Sequence, residues 1–553
     1  MPDSERPRLA DHILVAGDRV MDHHLYAGDR MQARQITHRS SRWKSEPGGA
    51  GLLHKLIKEL LDQSRRRCFD FKPSWSGDWG RTATHHSLSW ETQLLDQPRT
   101  KDSTPDVASY AVWAPHKAHK DAKTPTIWRA TAGLGYGNKT NEATDETQSG
   151  GPDISIVPDL LVIDDAGLGF REPDVGPEII NRHAAACNNS YILLKTTAPF
   201  VGTADAPSLW RELDKKKCLD KLICLVSARD LRRETLLLSH GLSWEASLEQ
   251  LYTALQSHPA GIVLSKAQHL IVTFSSDAAL WLDNTERNEP KAWLCFDPRR
   301  AEGEWGSQFE GEVFGYHTAM AAALALHLTR EITQARQDKQ EPPTQPKLNL
   351  LAGIEAGLLA MRELIRDGHG KIEIDANKQP DGFPFRTIAA RILDARDNRI
   401  KDAERLASLP IEWKPAKQPG WSLIGAYLSG GRTFETKPLY HLAAQVVRYG
   451  AWTLDHLPHA RFGKLMTPDR LEIESLRQIR HRLRDYRAAK SAGRPLSIGV
   501  FGPPGSGKSF GVQQLTEEIF GEASWFPFGS YSVFCWYGPR PMAPRIMAAE
   551  LAV

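Results

Sequence analysis

Short apolar runs of strand length alternate with amphipathic stretches along the first two thirds of the chain. The runs lie at 12–16, 159–163, 191–194, 221–226 and 270–274. Between them, apolar positions recur at helical spacing, for example over 242–257 and 261–266. Buried strands that alternate with helices are typical of a mostly parallel sheet covered on both faces, which predicts an α/β fold. The run at 279–282 is expected to pair with 270–274 as a hairpin.

The last third of the chain has a different pattern. Residues 376–466 combine predicted helices at 385–396 and 439–449 with loops rich in Pro, Gly and Trp, and we interpret them as a connector or interaction module. Thr467-Pro468-Asp469 is a good helix start, with a capping hydroxyl, Pro at the first helical position and an acidic first turn. This helix is expected to reach about Lys490, and we interpret its arginine-rich surface as solvated.

The first strand ends in a pattern suited to ligand binding. Gly17-Asp18 follows the strand, Asp22 comes four residues later, and Gly48-Gly49 opens a predicted helix. α/β folds build small-molecule pockets at strand ends, where carboxylates such as Asp18 and Asp22 accept hydrogen bonds from ligand hydroxyls. The alternative is a local role, in which Asp18 caps a turn and the glycines only permit the backbone path.

Charge and cysteine content narrow the class of protein. The chain has 553 residues, 70 Lys and Arg against 67 Asp and Glu, and a formal net charge of +3. This balance gives no electrostatic case for nucleic acid as a partner. The six cysteines show no paired spacing, and neither a signal peptide nor an apolar run of membrane-spanning length is seen. We therefore expect a cytoplasmic protein without membrane association.

A phosphate-binding loop pattern, G-x-x-x-x-G-K-[ST], lies near the end of the chain. Every fixed position is matched by the stretch Gly502-Pro503-Pro504-Gly505-Ser506-Gly507-Lys508-Ser509. An apolar run at 496–501 precedes it, and a predicted helix at 510–520 follows. The pattern predicts ATP binding, with backbone N–H groups of Gly502, Gly505, Ser506 and Gly507 around the phosphates. Lys508 would reach the β- and γ-phosphates, and the Ser509 hydroxyl would hold Mg²⁺.

The stretch GVFGPPGSGKS at 499–509 resembles the start of an AAA-type ATPase domain. That resemblance implies a P-loop NTPase fold and a possible homo-oligomer formed through this part. Only 44 residues follow Ser509, and they contain no apolar strand that ends in acidic residues. Hydrolysis needs such an acidic residue for Mg²⁺ and water, so we expect the ATPase domain to be incomplete.

Several motifs along 10–370 resemble the ribokinase/PfkB family of sugar and nucleoside kinases. They are GDRVMD at 17–22, PGGAG at 47–51, VIDDAGLG at 162–169, LLK at 193–195, LVSARDLRR at 225–233 and LIVTFSSDAALWL at 270–282. The resemblance lies in the order and pattern of motifs rather than in close identity. It implies a ribokinase-like three-layer α/β/α domain that binds a nucleotide and a sugar-like or nucleoside ligand, with Asp18, Asp22, Gly48 and Gly49 on the substrate side.

One family motif departs from this pattern. The catalytic G-A-G-D element opens a helix rich in small residues, and its Asp is the base that takes the proton of the acceptor hydroxyl. Here the helix is predicted over 318–328, but of that element only Gly315 is present, and Tyr316 or His317 stands at the Asp position. A neutral histidine can act as a base, so His317 is a candidate. Loss of the Asp and of a glycine together favours a degenerate kinase.

Three functions agree with these features. The first is an ATP-binding regulatory or sensor protein, in which a degenerate PfkB-like domain is coupled to a P-loop ATPase module. The second is an active sugar or nucleoside kinase, and the third is a non-catalytic scaffold. The expected organisation is a PfkB-like domain at 10–375 with an insertion at about 70–155, a mixed, mostly helical connector at 376–466, and an incomplete P-loop domain at 467–553.

Overall fold

A computed structural model describes most of the chain. It covers 12–27, 42–70, 91–94, 107–117, 125–138, 158–186 except 174, 190–202, 208–337, 348–372, 382–400, 406–413 except 412, 422–428, 438–488 except 456, 497–499, 507–520, 525–528, 531–534 and 547–549. The chain divides into two compact units. The first comprises 1–238, 251–296 and 303–413, and the second comprises 239–250, 297–302 and 414–553.

A nine-stranded sheet forms the centre of the first unit. The strands of the unit are β1 (His12–Gly17), β2 (Arg19–Tyr26), β3 (Arg42–Gly49), β4 (Glu91–Leu94), β5 (Val107–Lys117), β6 (Thr126–Asn138), β7 (Leu160–Asp165), β8 (Tyr191–Thr196), β9 (Leu222–Ser227), β10 (His269–Phe274), β11 (Ala278–Asp283), β12 (Lys291–Phe296) and β13 (Ala407–Ile411). The order in the large sheet is β13-β12-β11-β10-β9-β8-β7-β1-β4, in which neighbours from β4 to β10 are parallel and those from β10 to β13 are antiparallel.

Helices cover both faces of this sheet, as the alternation of strands and helices predicts. They are α1 (Ala50–Asp70), α2 (Gly176–Ala186), α3 (Trp210–Lys215), α4 (Ala228–Arg233), α6 (Pro259–Leu264), α7 (Tyr316–Gln337), α8 (Leu351–Asp367) and α9 (Phe385–Arg396), whereas α5 (Trp244–Ser257) has residues in both units. Leu160 and Val162 of β7 join residues of α1, α7, α8 and α9 in one apolar core. Leu161 and Ile163 are equally buried and face the opposite side, because side chains alternate along a strand. The expected α/β fold with one large, mostly parallel sheet is thus present.

Small residues bring two helices of the core close together. A Cβ at Gly357 of α8 would lie 2.2 Å from the sulfur of Met320 in α7. The alanine-rich sequence of α7 therefore packs against the backbone of its neighbour. The expected helix at 318–328 corresponds to α7, which begins two residues earlier, at Tyr316.

A second sheet of four strands, in the order β3-β2-β5-β6, follows directly from the first strand of the large sheet. β1 continues into β2 through Asp18, and the Ala50 N–H that opens α1 donates to the Asp18 carbonyl at 2.9 Å. The sequence analysis placed an insertion at 70–155, but β4 pairs with β1, and β5 pairs with β2. These strands are therefore integral to both sheets. Pro47 to Gly49 end β3, and the predicted helix begins directly after them at Ala50.

The first unit extends beyond residue 375, where the sequence analysis placed the domain boundary. Ile388 and Ile392 of α9 are buried in the same core as α1 and α8. β13 pairs with β12 and so adds the ninth strand to the sheet. Both elements lie in the stretch that was interpreted as a connector, and their apolar faces are used by the first unit.

The second unit is built from smaller elements. They are α10 (Leu423–Leu428), α11 (Pro438–Tyr449), β14 (Ala460–Phe462), β15 (Leu465–Thr467), α12 (Arg470–Ala488), β16 (Ser497–Gly499), α13 (Lys508–Phe520), β17 (Trp525–Phe528), β18 (Tyr531–Phe534) and β19 (Met547–Ala549). β14 pairs with β15, β17 with β18, and β16 with β19. Leu476 and Leu483 of α12 pack with Leu515 and Ile519 of α13 around Phe462.

Helix α12 differs in two ways from its prediction. Its capping residue is Asp469, whose carboxylate accepts from the N–H of Leu471 at 2.8 Å, whereas Thr467 lies in β15. Its basic surface is also not simply solvated. Arg484 donates to Glu518 of α13 at 2.9 Å, and Arg480 lies 3.9 Å from the same carboxylate. Among the described helices of the whole chain, none combines the length and the apolar character needed to cross a bilayer.

Candidate functional site

Polar side chains gather where the parallel strands of the large sheet end. Asp18 follows β1, Asp164 and Asp165 end β7, Lys195 and Thr196 end β8, and α7 begins nearby. Because β1, β7 and β8 are parallel neighbours, their carboxyl ends meet at one edge of the sheet. This edge is the candidate functional site.

Asp18 is buried, and its carboxylate is hydrogen-bonded to backbone N–H groups of the protein. It accepts from the backbone N–H groups of Ala166 at 2.8 Å, Leu168 at 3.2 Å and Phe170 at 2.8 Å. Burial raises the pKa of Asp18 to about 6, although these hydrogen bonds oppose the shift. Asp18 thus anchors the loop after β7, which agrees with the local role left open by the sequence. The ligand-binding role implied by the family resemblance stays a prediction.

Asp22 and Gly48, both predicted as substrate-side residues, are brought together by the pairing of β2 with β3. A Cβ at Gly48 would lie 2.3 Å from Oδ2 of Asp22, so only glycine fits beside this carboxylate. Gly49 has φ +53°, and a Cβ there would meet the Asp18 carbonyl at 2.2 Å. The two glycines therefore shape the backbone around Asp22 and contribute no side chain to a ligand.

The pKa of Asp22 is shifted by burial and by the polar and charged groups around it. Burial raises it to about 6; the hydrogen bond donated by the Ser109 hydroxyl lowers it, and the charges of Glu46 and Asp164 raise it. The ammonium of Lys195 acts in the opposite direction. Asp22 on the second sheet is thus within electrostatic range of Asp164 and Lys195 on the large sheet.

Asp164 and Lys195 form an ion pair across the edge. Lys195 Nζ lies 2.5 Å from Asp164 Oδ1, because the two residues are direct partners in the register of β7 and β8. Asp164 is fully buried, and its Oδ2 has no hydrogen-bond partner among the described residues. A buried acceptor without a donor is costly, so a ligand N–H or O–H that reached this oxygen would be strongly favoured.

The neighbouring Asp165, in contrast, has hydrogen-bond donors for both of its carboxylate oxygens. Arg171 donates to both of its oxygens, at 2.8 and 2.9 Å, and the Thr196 hydroxyl donates at 2.6 Å. Arg171 also donates to the carbonyls of Thr197 and Pro199, at 2.6 and 2.8 Å. This network fixes the loops that follow β7 and β8 and leaves Asp165 with a structural role.

His317, the candidate base, lies in the first turn of α7. Its Nε2 shares a hydrogen bond of 2.8 Å with the Thr273 hydroxyl at the end of β10. Loss of hydration lowers the pKa of His317 to about 3, and the charge of Lys195 adds to this shift. Tyr316 packs against the apolar core. The histidine is therefore neutral at physiological pH and a weak proton acceptor.

The predicted phosphate loop is described only at its end. The predicted strand is present as β16, and the predicted helix is present as α13 from Lys508 onward. Gly507 has φ +82°, a conformation that favours glycine. Ser509 lies in the first turn of the helix and is half-buried. Gly502, Gly505, Ser506 and the Lys508 side chain lie outside the described residues, so nucleotide and Mg²⁺ binding at this loop stays a prediction.

Asp164, Lys195 and Arg171 are not among the site residues predicted from the sequence. One signal was available, since a charged residue at the end of a fully apolar strand lies at the edge of a parallel sheet. The pairing of Asp164 with Lys195 follows from strand register, which the sequence does not show. The fold and this edge together define an α/β protein with a polar strand-end site beside a second sheet.

Comparisons with known proteins find only solved structures of low similarity. No family model and no curated protein matches the chain. Ribokinase from Giardia lamblia is 10% identical with a TM-score of 0.36, over 71% of this chain and 100% of that one. Phosphofructokinase-2 from Escherichia coli in complex with potassium is 13% identical with a TM-score of 0.34, over 70% and 99%. A nucleoside kinase from Burkholderia thailandensis in complex with inosine is 12% identical with a TM-score of 0.31, over 69% and 97%. Similarity at this level does not support a functional conclusion. The function is therefore inferred from the geometry of the site.

Proposed function

We propose that this chain is an ATP-binding regulatory or sensor protein. Its first unit binds a hydroxyl-bearing ligand of sugar or nucleoside type at the strand-end site without efficient phosphoryl transfer. Its second unit binds ATP and Mg²⁺ through Lys508 and Ser509. The observation that carries the proposal is the environment of His317, which with Tyr316 occupies the position of the expected base. Its Nε2 is engaged by the Thr273 hydroxyl at 2.8 Å, and burial lowers its pKa to about 3.

The strand-end site has the chemistry of a binding site. Asp22 and Asp164 supply carboxylate oxygens that accept from ligand hydroxyls, and Lys195 supplies a donor and a positive charge for a ligand oxygen. A base must have a pKa near the working pH to take a hydroxyl proton efficiently. A histidine with a pKa of about 3 fails this requirement, which favours binding over turnover.

The test separates binding from turnover at each site. Calorimetric titration with ATP is expected to show binding to the wild type and its loss in Lys508→Ala, because the ammonium contacts the phosphates directly. Titration with a panel of sugars and nucleosides should show binding that Lys195→Met weakens, with no phosphorylated product detectable in an ATP-consumption assay. ATP binding unchanged by Lys508→Ala would refute the role of the loop.

An active kinase is the second candidate, and Asp22 is the observation that favours it. A carboxyl group whose pKa is raised to about 6 is closer to neutral pH than His317 and is a better proton acceptor. In that case ATP consumption with one of the sugars or nucleosides would vanish in Asp22→Asn and persist in His317→Ala. Turnover lost in His317→Ala but kept in Asp22→Asn would instead make the histidine the base.

A further inference from the structure

A cleft of about 450 Å³ lies on the first unit. It adjoins the strand-end site at Arg171, which lines the cleft and donates to Asp165. It is bordered by the loop after β7, by α2, by the loop after β8, by α3 and by α6. Asn181 of α2 and Trp210 and Glu212 of α3 line it, together with Phe200. The motifs of the sequence analysis do not include these residues.

Three buried polar atoms that lack partners belong to side chains of this one cleft. They are the indole Nε1 of Trp210, Oε2 of Glu212 and Oδ1 of Asn181, none of which has a hydrogen-bond partner among the described residues. Trp210 is only 6% exposed. Buried donors and acceptors are nearly always paired, and each unpaired one is costly. One donor and two acceptors in a single cleft therefore indicate a missing polar ligand.

The walls and the rim restrict the kind of ligand. Pro177, Phe200 and Leu219 provide apolar surface between the polar groups. At the rim, Lys266 pairs with Asp214 at 3.1 Å, and Lys215 lies 3.6 Å from Oε1 of Glu212. The charges of these lysines are thus balanced by carboxylates, and Arg171 of the lining is paired with Asp165. The exposed Arg211 is the remaining cation of the lining. Because the other charges are paired, a neutral ligand that combines apolar faces with hydroxyl groups fits the cleft, with Arg211 in solvent.

We propose that this cleft is a second small-molecule site, which takes a neutral monosaccharide. Separate hydroxyl groups of one sugar accept from the Trp210 N–H and donate to Glu212 Oε2 and to Asn181 Oδ1. A sugar suits this set because each of its hydroxyl groups can act as a donor or as an acceptor. The proposal goes beyond the function of the strand-end site and does not depend on it.

The cleft is also connected to the loop that Asp18 anchors. Arg171, which lines the cleft, holds Asp165 with two hydrogen bonds and the Thr197 and Pro199 carbonyls with two more. A ligand in the cleft would therefore contact the side chain that fixes both strand-end loops.

The test observes the Trp210 indole directly. Full-length protein labelled with [¹⁵N]tryptophan is titrated with D-ribose, D-glucose and N-acetyl-D-glucosamine, and Trp210→Phe identifies the Trp210 indole signal by its disappearance. At least one sugar is expected to move that signal downfield in a saturable way, because an acceptor reaches the N–H. Glu212→Gln should raise the Kd for that sugar by about tenfold or more, since a charged hydrogen-bond partner is lost.

Two controls keep the result interpretable. The remaining indole signals of Glu212→Gln must superimpose on those of the wild type, which shows that the fold is kept. Asp22→Asn, which alters the strand-end site, should leave the Trp210 shift and its Kd unchanged. The proposal is overturned if no sugar moves the Trp210 signal, if Glu212→Gln binds as tightly as the wild type, or if Asp22→Asn abolishes the shift.

Discussion

Replacement of Asp22 by asparagine is expected to stabilise the protein at neutral pH while removing affinity for a ligand at the strand-end site. The carboxylate is poorly hydrated and lies near the negative charges of Glu46 and Asp164, so the folded protein carries this charge at a cost. Asparagine has nearly the same shape and can still accept from the Ser109 hydroxyl, but it has no charge. A residue kept at a cost to stability is typical of a functional site.

The size and the sign of the stability change follow from the pKa of Asp22. A rise from 3.8 to about 6 corresponds to at most about 3 kcal/mol of lost stability when the group is charged. The folded state binds the proton more tightly than the unfolded state, so stability falls as pH rises from about 4 to about 6 and is then constant. The Asp22→Asn substitution would remove this penalty, because asparagine carries no charge. The variant should therefore match the wild type near pH 4 and exceed it above pH 6.

Scanning calorimetry of both proteins between pH 4 and pH 8 measures this difference, which should reach a few degrees in the melting temperature of the first unit. Asp18→Asn is the matched control, because the pKa of Asp18 is also raised to about 6. Its carboxylate accepts from three backbone N–H groups, so an amide must turn its NH₂ toward one of them and lose about 1 to 3 kcal/mol. Destabilisation of Asp22→Asn at pH 7.5, or a stabilisation independent of pH, would refute the reasoning.

Two further substitutions, each with a control, test residues that shape the backbone and loops of the strand-end site. Gly48→Ala places a methyl group 2.3 Å from Asp22 Oδ2 and should cost about 1 to 3 kcal/mol as well as ligand affinity. Gly306→Ala, which meets nothing within 4 Å, should be neutral in the same melting and titration experiments. Arg171→Lys retains the charge but cannot reproduce the paired contacts to Asp165, and should lower stability by about 2 kcal/mol. Arg229→Lys on the exposed side of α4 should have no effect, and equal losses in both variants would contradict this role for Arg171.

The large sheet was predictable because its central strands are buried on both faces. Such strands appear as unbroken apolar runs, and the runs ending near 163, 194, 226 and 274 correspond to β7, β8, β9 and β10. The second sheet has no such signal. β5 and β6 are covered only in part, and their pairing shifts register at Tyr110 and at Val112. β13 is a five-residue edge strand that contains Pro410, a residue that argues against a strand in sequence alone.

The site was predictable only in part, for reasons of register and partners. Asp22 and Gly48 were recognised from a local motif, and pairing of β2 with β3 brings them together. Asp164 and Lys195 are separated by 31 positions and meet because β7 and β8 pair in one particular register. The sequence also gave Asp18 and Asp22 the same expected role. Their difference depends on which backbone N–H groups face each carboxylate, and this is a property of the folded loop.

Asp164 and Asp165 show most clearly why partners, rather than position, decide the role of a carboxylate here. They are adjacent, both buried and both at the end of β7, but side chains of consecutive strand residues point to opposite faces. On one face Arg171 and Thr196 supply donors to both oxygens of Asp165, so no capacity remains for a ligand. On the other face Asp164 receives one donor from Lys195 and keeps one oxygen without a described partner. The strand-end site therefore lies on the Asp164 face, where ligand binding would satisfy an acceptor that folding leaves unpaired.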